Sequence, residues 1–198
     1  LSDSIFPKGL FRLERLELYE CDFKNFKSES FGCVPNLKVL SISSPKNKEH
    51  LSLKHDNIEI LELGYTPFVC KCISGLSNLK ALRLIFCSFN MESFDLNYDF
   101  LSFLESLYLD CNFPSLHTFF SKLCNLKTLD YTSRHESIDT NLFKSFKKLE
   151  NLKLSFHFST QLPSNFFDDL ENLSKLDLCL NNLTNINPEW FSRMPNLR

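Results

Sequence analysis

Five histidines, eight cysteines and a scatter of carboxylates are the side chains of this 198-residue chain that could do chemistry. Each kind of chemistry demands its own spacing. His50, His55, His117, His135 and His157 have no nucleophile signature around them. Cys70 and Cys72 have a chelating spacing, but a zinc site needs a second pair and none follows. Only 4 glycines occur, and no Gly-rich phosphate loop is among them. No catalytic residue, metal or cofactor is expected, and the chain reads as a non-enzyme.

Bulk properties narrow the partners. Net charge is -2, with 43% hydrophobic and 23% charged residues, so no nucleic-acid partner is evident. No apolar run reaches the roughly 18–20 residues that span a bilayer. Membrane attachment is expected only through a helix outside this chain. The start, Leu1-Ser2-Asp3-Ser4, lacks a basic segment followed by an apolar one. Both ends are expected to be cuts in a longer protein.

The positioning elements come from a repeat. The pattern Leu-x-x-Leu-x-Leu starts at Leu13, Leu37, Ile58, Leu79, Leu104, Leu126, Leu149 and Leu173, and a ninth copy opens at Leu197. The starts are 24, 21, 21, 25, 22, 23, 24 and 24 residues apart, inside the roughly 20–29-residue period of leucine-rich repeats. A second apolar series runs six and three residues before each start. It includes Phe31 and Val34, Ile73 and Leu76, Tyr98 and Leu101, Phe120 and Leu123, Phe143 and Phe146, Phe167 and Leu170, and Phe191 and Met194. Before Ile58 the slots hold Ser52 and His55 instead.

These series predict an α/β leucine-rich-repeat solenoid, curved like a horseshoe. Short parallel strands form its concave face, with loops and short helical turns on the convex face. Alternation puts two leucines of each strand on one side, and one coil cannot bury them alone. Stacked coils make them a continuous core, and the 21 phenylalanines close it from the convex side. The reading is one domain fragment over 1–198, with eight full repeats, a truncated ninth and no caps.

Asn precedes the start at Asn36, Asn57, Asn78, Asn125, Asn172 and Asn196. There it pairs backbone groups as the chain turns into the strand. The ninth position, where Asn ladders between coils, holds Cys21, Pro45, Thr66, Cys87, Asn112, Arg134, His157 and Asn181. Cysteine there is a small, weakly hydrogen-bonding substitute. The second and sixth repeats, with Pro45 and with Tyr131 and Arg134, are expected to be distorted.

Strand residues between the leucines face away from the core. One row holds Glu17, Ser41, Glu62, Arg83, Tyr108, Asp130, Lys153 and Asp177; the next holds Tyr19, Ser43, Gly64, Ile85, Asp110, Thr132, Ser155 and Cys179. Tyr65, Phe86, Phe113, Phe156 and Phe158 lie just beyond. Aromatics beside charges have hot-spot composition. The candidate ligand-binding residues are Glu62, Tyr65, Arg83, Phe86, Tyr108, Asp110, Asp130, Lys153 and Phe156. Phe86 and Phe156 either project as anchors or tuck into the turn between coils. The row's acidic residues Glu17, Glu62, Asp130 and Asp177 occupy non-neighbouring coils, against an acid–base pair.

Repeats such as LENLKLSFHFSTQLPSNFFDDLEN and LSKLDLCLNNLTNINPEWFSRMPN, with Phe167 and Phe191 in the late slot, resemble the typical extracellular class of leucine-rich repeat. Within it the chain most resembles the ectodomains of Toll and Toll-like receptors. That resemblance implies a receptor ectodomain on the outer side of the plasma membrane, acting in innate immunity or development. It implies a protein ligand such as a secreted cystine-knot cytokine, or a microbial product, and receptor dimerisation. The family's signalling domain, membrane helix and cysteine-rich caps are missing from this stretch. Pro67 to Cys72 resembles the opening of a C-terminal cap, but the next repeat begins on schedule at Leu79, which reads as a convex loop with two cysteines. Two sequons occur, at Asn172 and Asn182; Asn182 is the better glycosylation candidate, because Asn172 occupies the structural slot. A secreted or adhesive repeat protein and an intracellular adaptor or immune sensor remain as alternatives.

Overall fold

The computed structural model describes residues 6, 9–46, 53–68, 73, 75–89, 99–111, 116–133, 141–156 and 162–198. Its contacts divide the chain into two compact units, Leu1–Phe100 and Leu101–Arg198. The first contains β1 (Arg15–Tyr19), β2 (Val39–Ser43), β3 (Ile60–Gly64), β4 (Pro67–Phe68), β5 (Ala81–Ile85) and β6 (Ser88–Phe89). The second contains β7 (Ser106–Asp110), α1 (Leu116–Phe120), β8 (Thr128–Ser133), β9 (Asn151–Phe156) and β10 (Lys175–Asp177).

Within each unit the repeat strands are parallel and in register. β1, β2, β3 and β5 align Leu16, Leu40, Leu61 and Leu82, then Leu18, Ile42, Leu63 and Leu84. β4 and β6 add a short parallel pair. β7, β8, β9 and β10 align Leu107, Leu129, Leu152 and Leu176. This is the leucine-rich-repeat solenoid the sequence predicts. The second and sixth repeats are not distorted in their strands: β2 and β8 pair along their length with both neighbours. Pro45 follows the strand end, so its missing N–H costs no ladder bond. Tyr131 takes the leucine slot and is buried edge-on to Phe120 and Phe156. Arg134 lies outside the described residues.

The three-residue spacing ahead of each strand has a backbone cause. The N–H of Leu37 bonds the carbonyl of Val34, and that of Val34 bonds Phe31, both at 3.1 Å. Leu149, Phe146 and Phe143 are linked likewise at 3.1 and 2.9 Å, and Leu173, Leu170 and Phe167 at 3.1 and 3.0 Å. Such i to i+3 bonds wind about 3.0 residues per turn, so residues three apart eclipse on one face. These coils therefore descend a 3-10 staircase whose treads point into the core, as at Phe31, Val34, Phe143, Phe146, Phe167 and Leu170.

Two slots depart from that rule. Phe191 is partly exposed, and the neighbouring Trp190 fills the interior instead, edge-on to Phe167 with its indole N–H donating to Pro163 O at 3.0 Å. Before Ile58, His55 is buried; Asn57 N–H donates to its Nδ1 at 3.2 Å. Nε2 therefore carries the proton and donates to Val34 O at 3.1 Å, so a polar ring sits in an apolar slot without an orphaned nitrogen.

Two sets of polar contacts tie coil to coil. Five of the asparagines before a start donate to a carbonyl of the preceding coil: Asn57 to Pro35, Asn125 to Ser102 and Asn172 to Lys147, each at 2.7 Å, with Asn36 to Phe11 and Asn78 to Asp56 alike. At the ninth position, Asn181 Nδ2 reaches Leu154 O at 2.7 Å. Cys87 donates to Leu63 O at 3.3 Å and lies 3.4 Å from the Thr66 hydroxyl. The Cys87 thiol thus makes the contact to the preceding coil that the amide makes at Asn181.

Candidate binding surface

Three rows of side chains leave the strands on the side away from the core. The third comes from the first strand residue of each coil, including Arg15, Ile60, Thr128, Asn151 and Lys175. The same alternation marks it in the sequence, but it was not among the candidates.

In the first unit the rows are tied by charge. Arg15 Nε donates to Glu17 Oε1 at 2.7 Å, and its other arm reaches Glu62 Oε2 at 3.7 Å. The reach crosses β2, whose residue in that row is the short Ser41. Glu62 is therefore half-buried and lies in register with Arg83.

Beyond the strand ends the backbone decides what is displayed. Glu20, Ser44, Tyr65, Phe86 and Leu180 occupy the eighth position of their coils, with φ of 51°, 51°, 52°, 48° and 60°. This left-handed turn stops the strand and swings the side chain outward. Tyr65 and Phe86 are accordingly 53% and 43% exposed and stack on each other, with centroids 5.2 Å apart and planes 26° apart.

Phe156 holds the same slot but has the opposite fate. β9 continues through it, so alternation points its ring inward, where it is 2% exposed and packs on Tyr131 and Phe166. Phe156 is therefore core and not a ligand contact. Phe113 and Phe158 lie outside the described residues.

In the second unit, Asp130, Lys153 and Asp177 stand side by side. Lys153 Nζ is 3.2 Å from Asp130 Oδ2, and this contact raises the ammonium above its ordinary range. Asp177 accepts from the Cys179 thiol and from its N–H at 2.9 Å, which holds the carboxyl below its usual range and pushes the thiol up. A groove of about 330 Å³ opens among Thr128, Asp130, Asn151, Lys153, Lys175 and Asp177. Tyr108 and Asp110 are half-buried at the head of the same rows. The structure thus brings Glu62 and Arg83 together with Tyr65 and Phe86 in one unit, and Tyr108, Asp110, Asp130 and Lys153 in the other.

Both sequon asparagines are at the surface, but the Asn172 side-chain nitrogen, the atom a glycan would use, donates to Lys147 O. Among the described residues no group of three metal-ligating side chains is found, and no helix is long and apolar enough to cross a membrane. Cys21, Cys33, Cys87, Cys111, Cys124 and Cys179 are thiols. Cys70 and Cys72, with the cap-like segment they end, lie outside the described residues.

Residues 147–198 match the leucine-rich repeat family model. The chain is 29% identical over 187 residues to Toll-like receptor 3 of Boselaphus tragocamelus, covering 86% of this chain and 19% of that receptor. The stretch thus spans about a fifth of that relative's length. Among solved structures it resembles internalin C2 of Listeria monocytogenes, with a TM-score of 0.65 at 22% identity over 95% of this chain and 80% of that one. It also resembles a chain of the Toll–Spatzle complex of Drosophila, with a TM-score of 0.58 at 21% identity over 95% of this chain and 29% of that one. A chain of the TLR13–ssRNA13 complex gives a TM-score of 0.59 at 21% identity, over 89% of this chain and 29% of that one. These likenesses show the fold, and the chain resembles a Toll-like ectodomain.

Proposed function

We propose that this chain is the ligand-recognition region of a cell-surface signalling receptor of Toll-like kind, acting in innate immunity or development, and that its ligand is a protein. The observation that carries the reading is the Tyr65–Phe86 pair. Two large aromatics are held at the surface by a backbone conformation that costs non-glycine residues about 1–2 kcal/mol each. Exposed aromatics beside charged side chains have the composition of interface hot spots. The charged strand rows beside the rings would set partner choice. Glu62 and Arg83 join the pair on the first unit; Tyr108, Asp110, Asp130 and Lys153 serve on the second.

Toll, solved with Spatzle, and TLR13, solved with an RNA, make a protein and a nucleic acid the two ligand classes to compare. Near-neutral charge favours protein, because phosphate backbones select strongly basic surfaces. A secreted cystine-knot cytokine or a microbial surface protein fits the reading, and ligand-driven dimerisation would transmit the signal. Asn182 would carry the glycan on an outward-facing ectodomain.

The test is an array of secreted proteins and single-stranded RNAs probed with the wild-type chain and with Tyr65→Gly/Phe86→Gly. The expected result is a protein bound by the wild type and weakened at least about tenfold by the double substitution. Binders that are all RNA, or all indifferent to both substitutions, would overturn it. An intracellular repeat module is favoured by the buried thiols of Cys87 and Cys111. Alkylation of the unfolded full-length protein, with each labelled cysteine located, decides that point: eight reactive thiols within this stretch favour the intracellular module, and fewer favour the receptor.

A further inference from the structure

Resting on that reading, we infer that the first unit carries an aromatic slot for an arginine side chain of the protein ligand, between Tyr19 and Tyr65 with Glu20 at its end. Tyr19, Ser43, Gly64 and Ile85 share one row across β1, β2, β3 and β5, while Glu20, Ser44, Tyr65 and Phe86 share the next. The first and third coils raise a tyrosine, 69% and 53% exposed. The coil between them offers only Ser43 and Ser44. Gly64 adds no side chain to the floor, where a Cβ would stand 2.6 Å from the Ser43 Oγ.

Neighbouring strands lie about 4.8 Å apart, so residues two coils apart are separated by roughly 10 Å. A flat group packed at about 3.5 Å from each of two rings needs some 7 Å, which that gap accommodates. Phe86 backs the outer face of Tyr65.

Charge selects the guest. The Tyr19 hydroxyl is hydrogen-bonded to Glu20. That contact with the carboxylate raises the phenol above its ordinary range. In the neighbouring row Arg15 is tied to Glu17 and Glu62. With Arg83 the patch holds three carboxylates against two guanidiniums. A planar cation stacks on ring faces and presents a fork to a carboxylate, which an ammonium cannot do.

The test is solution NMR of the whole chain titrated with acetyl-Gly-Arg-Gly-amide, and with the same peptide carrying citrulline, which has nearly the same shape and no charge. The arginine peptide is expected to shift the amides of Tyr19, Glu20, Ser43, Ser44, Gly64 and Tyr65 saturably, with affinity at least about fivefold above that of the citrulline peptide. Glu20→Gln should remove most of that preference. Ser44→Tyr, which fills the gap and leaves Tyr65 and Phe86 intact, should abolish the shifts. Equal response to both peptides, shifts elsewhere, or an unchanged Ser44→Tyr variant would overturn the slot. A protein ligand that still depends on Tyr65 and Phe86 after such a failure would leave the receptor reading standing.

Discussion

Gly64 and Gly75 show how differently two glycines of one coil are constrained. A Cβ on Gly75 would lie 2.5 Å from Leu53 O and 3.1 Å from Lys54 Cα, both backbone atoms of the coil before. Gly75→Ala is expected to cost about 1–3 kcal/mol in denaturant unfolding, because the coils must part. At Gly64 the nearest obstacle is the Ser43 hydroxyl, which rotates away. Gly64→Ala is expected to cost less than about 1 kcal/mol in the same assay. A second prediction concerns Cys179. Asp177 holds its thiol protonated, so Asp177→Asn should lower the thiol pKa. Alkylation of Cys179 at pH 8 should then accelerate, with its rate profile moving to lower pH. Such pairings are not legible in a sequence, because they depend on where a turn delivers a side chain. His55 is a like case: it appears as a gap in an apolar series, and its two hydrogen bonds emerge only from the stacking of coils.

Among elements, the eighth position of each coil separates what the sequence predicts from what it does not. Strand leucines and staircase residues are fixed by periodicity, and in the inner coils the described members of both series are buried. Phe86 and Phe156 occupy equivalent places after equivalent strands, yet one ring projects and the other is tucked into the core. The difference is a single torsion: Phe86 turns left-handed, while Phe156 extends the strand by one residue. Phe156→Ala should therefore cost about 3–5 kcal/mol, as for a core ring. Phe86→Gly should leave the unfolding midpoint nearly unchanged. Losing one stacked pair costs about 0.5–1.5 kcal/mol, and relieving the left-handed strain returns about as much. Thermal melts of the two variants check the contrast.

At the scale of the whole molecule, the second residue of each repeat carries a pattern visible only when coils are laid side by side. It reads Glu14, Lys38, Glu59, Lys80, Glu105, Lys127, Glu150, Ser174 and Arg198. Backbone bonds bring successive members together, as from Lys38 N to Glu14 O at 2.9 Å and Lys127 N to Glu105 O at 2.8 Å. Lys38–Glu14, Lys80–Glu59 and Lys127–Glu105 form ion pairs at 3.3, 3.1 and 2.9 Å. Each pair is exposed and worth little by itself. The alternation has another value: a slip of one coil would set like charges together, so it guards the pairing of near-identical strands. Glu59→Lys, which lines up three lysines, should lower the melting temperature in dilute buffer more than Glu59→Gln does. Salt near molar strength should erase that difference.

The left-handed turn at the eighth position of five coils also bears on how such a surface diversifies. Core and display are decided there by the backbone, so an aromatic can move from interior to surface while the residue itself stays unchanged. A lineage can thus rewrite its recognition pattern coil by coil, drawing on rings it already has, while the leucine stack beneath keeps its form.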